Sequence, residues 1–240
     1  RPARSPAAPA ARPGERPPAA PAPAAPCRPR WRPSRAAAAS VVRAGRWRAA
    51  IAGACNAVRR TAEGRLQGEM FDGEGFVRGV LRKGMKLQDA SALVVGSGGV
   101  GCAIAASLAA AGVGTLALFD VNAASADGLA GRLRQHYPAL QVVTGSNDPE
   151  RFDLVVNATP MGMNVGDPMP MDVSRIASTT FVGEVVMRQE MTAFLQAAKN
   201  RGCQVQVGSD MLFEQIPAYL EYFGFQTTTA DELRNLARLG

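Results

Sequence analysis

The chain has 240 residues, enough for one large or two small domains, and a formal net charge of +7. The charge is uneven: residues 1–50 hold 11 arginines and one acid, Glu15, whereas residues 51–240 hold 16 basic and 19 acidic side chains. The longer part is therefore mildly acidic, which excludes a broad basic surface for nucleic acid there.

Residues 1–36 are Pro, Ala and Arg almost throughout, with 11 of the 17 prolines in the first 33 residues. Proline removes backbone donors and blocks helix and sheet, so this stretch cannot build a core and is expected to be disordered. A transit-like presequence, a basic tether and a non-native extension all fit it. Residues 37–50 are richer in alanine and suit a helix. From Ile51 the composition changes. Gly53–Phe76 reads as two short extended segments joined at Ala62-Glu63-Gly64, after which Asp72-Gly73 opens a helix to about Lys83.

Residues 93–120, LVVGSGGVGCAIAASLAAAGVGTLALFD, follow. Leu93–Val95 is an apolar run suited to a buried strand. Gly96, Gly98 and Gly101 make G-x-G-x-x-G, a small-residue helix runs from Val100 to about Ala111, and a second strand, Thr115–Phe119, ends at Asp120. This strand, glycine turn, helix, strand and acid predict a dinucleotide site. Gly96 permits the turn, Gly98 keeps side chains away from a pyrophosphate, and Gly101 lets the helix approach the sheet. Gly99, Val100 and Gly101 open the helix, whose unpaired amides face phosphate. Asp120 stands where a carboxylate accepts hydrogen bonds from the adenosine ribose and repels a 2′-phosphate, so NAD is expected over NADP. A solvated strand-end carboxylate is the other reading of Asp120.

Further on, Ala123–Tyr137 is an amphipathic helix with Leu129, Leu133 and Tyr137 on one stripe. Strands are expected at Leu140–Thr144, Phe152–Asn157, Thr180–Val186 and Cys203–Val207, with a helix from about Glu190 to Arg201. The turn Asn157–Met163, carrying Thr159, leaves the end of a strand and should face the same crevice as the glycine turn. Gly208-Ser209-Asp210 opens a helix, Met211–Phe223, and a short helix, Ala230–Leu239, closes the chain. The alternation predicts an α/β fold with a doubly wound parallel sheet of Rossmann type. Four cysteines without C-x-x-C spacing and one histidine, His136, make no zinc site, so no metal is expected. No apolar run is long enough to span a membrane and no secretory signal is visible, so a cytoplasmic protein without membrane partners is expected.

Four ordered motifs resemble the shikimate/quinate dehydrogenase family. GACNAVRRTAEGRLQGEMFDGEGF is similar to its G-A-x-N-T-V…G-x-N-T-D-G-x-G-F, GSGGVG to its glycine turn, NATPMGM to its N-A-T-S-x-G-M loop, and VGSDMLFEQ to its N-G-L-G-M-L-x-x-Q. The resemblance runs from about Gly53 to Leu239. It implies hydride transfer between a nicotinamide cofactor and a ring hydroxyl or ketone of shikimate, quinate or a related hydroxy acid, in chorismate biosynthesis or quinate use. It further implies that Asn56 and Gln215 bind substrate and that Asp72 both binds substrate and belongs to a catalytic Lys/Asp pair. Asn157, Thr159 and Gly208 would border the nicotinamide. Read without the family, Asn56 and Gln215 also suit satisfied buried amides, and Asp72 suits a helix N-cap.

The implied organisation is a Pro/Ala/Arg segment over 1–50, part of a substrate domain over 51–84, a dinucleotide domain over 85–207, and C-terminal helices over 208–240 that pack back on the substrate domain. A monomer or homodimer is expected, with a small hydroxy acid as partner and no nucleic acid. The family pattern is broken in places. Its V-T-x-P-x-K lysine has no counterpart, because the three lysines here, Lys83, Lys86 and Lys199, all lie downstream of Asn56. Met70-Phe71 replaces Asn-Thr, and Met187 aligns with a common tyrosine; a less polar substrate and plain core packing both account for them. An active dehydrogenase is therefore expected to be impaired in this chain, and a non-catalytic NAD-binding module is the alternative.

Overall fold

The computed structural model describes residues 47–237; the expectations for 1–46 and 238–240 lie outside them. The elements are α1 (Trp47–Ala52), β1 (Ala57–Arg60), β2 (Leu66–Glu69), α2 (Asp72–Arg82), β3 (Ser91–Val95), α3 (Gly99–Ala110), β4 (Thr115–Phe119), α4 (Ala123–His136) and β5 (Gln141–Thr144). They continue with β6 (Leu154–Asn157), a 3₁₀ turn (Val173–Arg175), β7 (Phe181–Glu184), α5 (Ala193–Asn200), β8 (Gln204–Gln206), α6 (Gly208–Phe223) and α7 (Ala230–Leu236).

The six strands β5-β4-β3-β6-β7-β8 form one wholly parallel sheet. The order reverses between β3 and β6, so the crevice of a doubly wound fold belongs beyond the C-terminal ends of those two strands. The strands are apolar on both sides because helices cover both. On β3, Ala92 and Val94 join a core shared with α1, α2, α3 and α4, while Leu93 and Val95 join a second core with Phe194, Leu195 and Ala198 of α5. This two-sided burial is what a continuous apolar strand pattern requires.

Outside the sheet, β1 and β2 pair as an antiparallel hairpin. Helix α2 lies between α3 and α6 and makes its closest approaches at glycines. A Cβ on Gly73 would stand 2.0 Å from the Ala103 carbonyl oxygen, and one on Gly75 would stand 2.5 Å from that of Met211. The G-E-G sequence thus seats the N-terminal end of α2 against the nucleotide helix on one side and the last long helix on the other.

Charge fixes the other end of α2. Lys83 Nζ lies 3.0 Å from Asp210, which also receives Arg234 at 2.9 Å, and Arg82 pairs with Glu214 at 3.2 Å and with Asp231. Helix α7 is set by a capping box between Thr229 and Glu232.

Several boundaries differ from expectation for local reasons. Helix α5 starts at Ala193 because the Thr192 hydroxyl accepts the Leu195 N–H at 3.2 Å. Helix α6 starts at Gly208, placing Asp210 in its first turn. Asp72 is the first residue of α2 and not its cap; Phe71 holds the cap position without a side-chain bond. Met70 and Phe71 are 4% and 5% exposed, with Phe71 against the rings of Tyr219 and Tyr222, so both serve core packing. No described helix is long and apolar enough to cross a membrane.

Candidate functional site

The glycine turn forms one wall of a crevice. Gly96 leaves β3 at φ +104 and donates its N–H to the Phe119 carbonyl at 2.7 Å. A Cβ there would lie 2.7 Å from the Ala158 carbonyl oxygen, so only glycine fits both the angle and the approach. On Gly101 a Cβ would come within 1.9 Å of the Gly96 carbonyl oxygen. Gly98 differs: nothing lies within 4 Å of its Cβ position. It caps α3, whose first bond runs from Cys102 N–H to the Gly98 carbonyl, so the amides of Gly99, Val100 and Gly101 precede the helical ladder.

Asp120 closes the turn from the neighbouring strand. Its carboxylate accepts the Ser97 N–H at 2.6 Å and the Asn122 N–H at 2.9 Å. Gly96, Gly98, Asp120 and Thr159 line one cavity of about 490 Å³. Asp120 also lines a neighbouring cavity of about 280 Å³ with Val121, Ala123 and Thr144. Among the described residues, neither cavity has an arginine or lysine in its lining.

The opposite wall is the loop after β6. Asn157 is fully buried and does not line the cavity. Its Nδ2 donates to the Met161 carbonyl at 2.9 Å, and its Oδ1 accepts the Thr159 N–H at 3.1 Å and hydroxyl at 2.6 Å. The Asn157 amide therefore shapes the loop, and Thr159 and Met161 present it to the crevice. Gly208 starts α6 against β7, where a Cβ would stand 2.1 Å from the Val186 carbonyl oxygen.

On the hairpin side, Asn56 Nδ2 donates to Asp72 Oδ1 at 2.6 Å, and Asn56 Oδ1 accepts the Phe71 N–H at 3.0 Å. Burial pushes the Asp72 carboxyl above its ordinary value, and the Asn56 hydrogen bond opposes this. Gln215 is 9% exposed, and its buried Oε1 has no hydrogen-bond partner among the described residues. It sits one turn before Tyr219 on α6. Burial, and next the Asp72 charge, push the Tyr219 phenol up to about 12. The structure thus brings together Asn56 and Asp72, with Gln215 and Tyr219 on the helix packed beside them.

No lysine completes a pair with Asp72. Lys83 is held by Asp210 at the far end of α2, 11 residues and about 16 Å along the helix axis from Asp72. Lys86 and Lys199 are exposed, as is His136. Among the described residues no group of three or more His, Cys, Asp or Glu could hold a metal.

Two members of the region escaped the sequence reading. Tyr219 is marked only by its spacing from Gln215. Glu184 is marked by a lone acid inside an apolar strand. It is fully buried at the end of β7, in register with Asn157, and its Oε2 accepts the Thr192 hydroxyl at 2.9 Å. Burial pushes its carboxyl up to about 7, against the hydrogen bonds of Thr192 and Asn157.

Comparison with known proteins agrees with this geometry. A model of the ThiF family matches residues 78–130, which span the glycine turn, its helix and the strands on either side. A shikimate dehydrogenase (NADP(+)) of Jannaschia sp. (strain CCS1) is 30% identical over 186 residues, covering 75% of this chain and 66% of the relative. The chain thus spans less than two-thirds of that relative's length. Among solved structures, the quinate dehydrogenase of Corynebacterium glutamicum in complex with NAD is 31% identical, with a TM-score of 0.69 over 80% of this chain and 70% of that one. The ligand-free 5-ketofructose reductase of Gluconobacter sp. strain CHM43 is 27% identical, with a TM-score of 0.68 over 79% of this chain and 71% of that one. The ordered motifs, the sheet and these matches together show that the chain belongs to the shikimate/quinate dehydrogenase family of nicotinamide-dependent oxidoreductases.

Proposed function

We propose that this chain binds NAD in preference to NADP and belongs to the class that moves a hydride between that cofactor and a hydroxyl or ketone carbon of shikimate, quinate or a related hydroxy acid. Asp120 is the observation that carries the cofactor reading. It follows β4, binds the Ser97 amide of the glycine turn, and lines two cavities where, among the described residues, no arginine or lysine stands to meet a 2′-phosphate. The relatives' names include both NADP(+) and NAD, so the choice rests on this residue. The glycine-turn amides would take the pyrophosphate, and the Asn157–Met163 loop and Gly208 would flank the nicotinamide.

Asn56, Asp72 and Gln215 hold the substrate in this reading. A bound nicotinamide would supply the hydride acceptor, and Asp72, whose carboxyl burial raises above its ordinary value, would take the hydroxyl proton. A positioned proton-transfer group typically contributes about 10²–10⁴-fold, and the lysine partner is missing from this sequence. Turnover by this polypeptide is therefore impaired. Its site residues, cytoplasmic location and state as monomer or homodimer belong to the same proposal. The second reading, a non-catalytic NAD-binding module, is favoured by the same missing lysine.

Titrating the chain with NAD and NADP tests the cofactor choice, with Asp120→Ser alongside. The wild type should favour NAD by about tenfold or more, and the variant should lose most of that preference, as expected for removing one like-charge contact with a 2′-phosphate. Equal affinity of the wild type for both cofactors would refute the assignment.

A further inference from the structure

The loop that walls the crevice opposite the glycine turn is held at both ends by one small buried cluster. At its start, the Asn157 amide bonds Thr159 and Met161. At its end, Gly162 rests on Thr192, where a Cβ would come 3.3 Å from the Thr192 methyl. Gln189 adds a hydrogen bond to the Gly162 carbonyl at 2.6 Å. Asn157 and Glu184 are directly paired in the sheet register, so their side chains share a face, the one that α5 covers. Thr192 caps α5 and at the same time donates its hydroxyl to Glu184. Asn157, Glu184 and Thr192 are all fully buried.

A carboxyl at this depth is costly unless something needs it, since an apolar side chain would fill the end of β7 without a desolvation penalty. We infer that Glu184 is a positioning residue: its carboxyl orients Thr192 and buttresses Asn157, and so holds Thr159 and Met161 against the bound dinucleotide. It touches neither cofactor nor substrate. The inference rests on the dinucleotide reading for its consequence in binding, and on the hydrogen bonds alone for its consequence in loop order.

The full chain is tested as wild type, Glu184→Ala, Glu184→Gln and Thr192→Val, by NADH titration and by amide hydrogen exchange at Thr159 and Met161. Glu184→Ala should bind NADH about tenfold more weakly, the size expected from losing one buried hydrogen bond, and exchange both amides faster. Glu184→Gln keeps an acceptor for the Thr192 hydroxyl and should stay within about twofold of wild type. Wild-type binding and exchange in Glu184→Ala would overturn the inference. So would a Glu184→Gln variant as damaged as the alanine. If Glu184→Ala does not fold, Thr192→Val decides: tenfold weaker binding with faster exchange supports the role, and no change overturns it. If the wild type binds no NADH, the dinucleotide reading fails, and the exchange rates alone decide the positioning role.

Discussion

Gly98→Ala should fold like the wild type yet bind NAD about a hundredfold more weakly, whereas Gly101→Ala should lose both stability and binding. The two glycines lie three residues apart in one motif and do different work. At Gly98 the backbone has φ −73 and nothing stands within 4 Å of a Cβ, so alanine meets no protein atom. Stability should change by no more than about 1 kcal/mol, since alanine is a poorer helix cap than glycine. The open space is where a pyrophosphate would approach the helix amides, and a methyl group there holds it off. At Gly101 the added Cβ would meet the Gly96 carbonyl oxygen at 1.9 Å, and neither group is a flexible side chain. The helix must move away from the turn, at a cost of about 2–4 kcal/mol. Urea unfolding and NADH titration of the two variants separate these effects. Normal binding by Gly98→Ala would mean that the crevice does not hold a dinucleotide in this way.

Stability should also fall as pH rises past the Glu184 titration. The carboxyl has an ordinary value of 4.5 in the unfolded chain and about 7 in the fold, so between these values the folded state holds a proton that the unfolded state has released. Stability from this group is therefore complete below pH 4.5, declines as pH rises, and is lost above about 7. The gap is worth about 3 kcal/mol, and full burial of the side chain means that solvent screens little of it. Glu184→Gln cannot ionise. Measured by urea unfolding at pH 5 and pH 8, wild type should lose about 2.5 kcal/mol relative to Glu184→Gln, the part of the gap that lies above pH 5. Parallel pH profiles would show that the carboxyl ionises without cost.

Much of the fold is legible in the sequence because a parallel sheet leaves a simple trace. Leu93–Val95, Thr115–Phe119 and the run before Asn157 are largely apolar, and the first two are each followed by a turn and a helix. The glycine turn is legible because each glycine answers a separate steric demand. The Asn56–Asp72 contact is foreshadowed by motif alone, since residues 16 positions apart meet only once the hairpin folds back on α2. Other features depend on packing that no local pattern records. Phe71 is a core residue because Tyr219 and Tyr222 of α6 arrive over it, while Met70 joins the main core with Phe76. Asn157 turns inward to tie its own loop, although its place at a strand end suggests direct contact with a ligand. Glu184 and Thr192 form a pair only across β7 and α5.

In the proposed reading, a dinucleotide crevice stands beside a proton-transfer site that lacks the family's lysine. The most direct test is absorbance at the NADH band while the purified chain is given NAD with shikimate or quinate, with NAD binding titrated on the same sample. Saturable NAD binding with turnover at least about 100-fold below ordinary rates of ~1–10³ per second is the expected result. Turnover within that ordinary range would show that another group does the lysine's work, and absence of NAD binding would contradict the crevice itself.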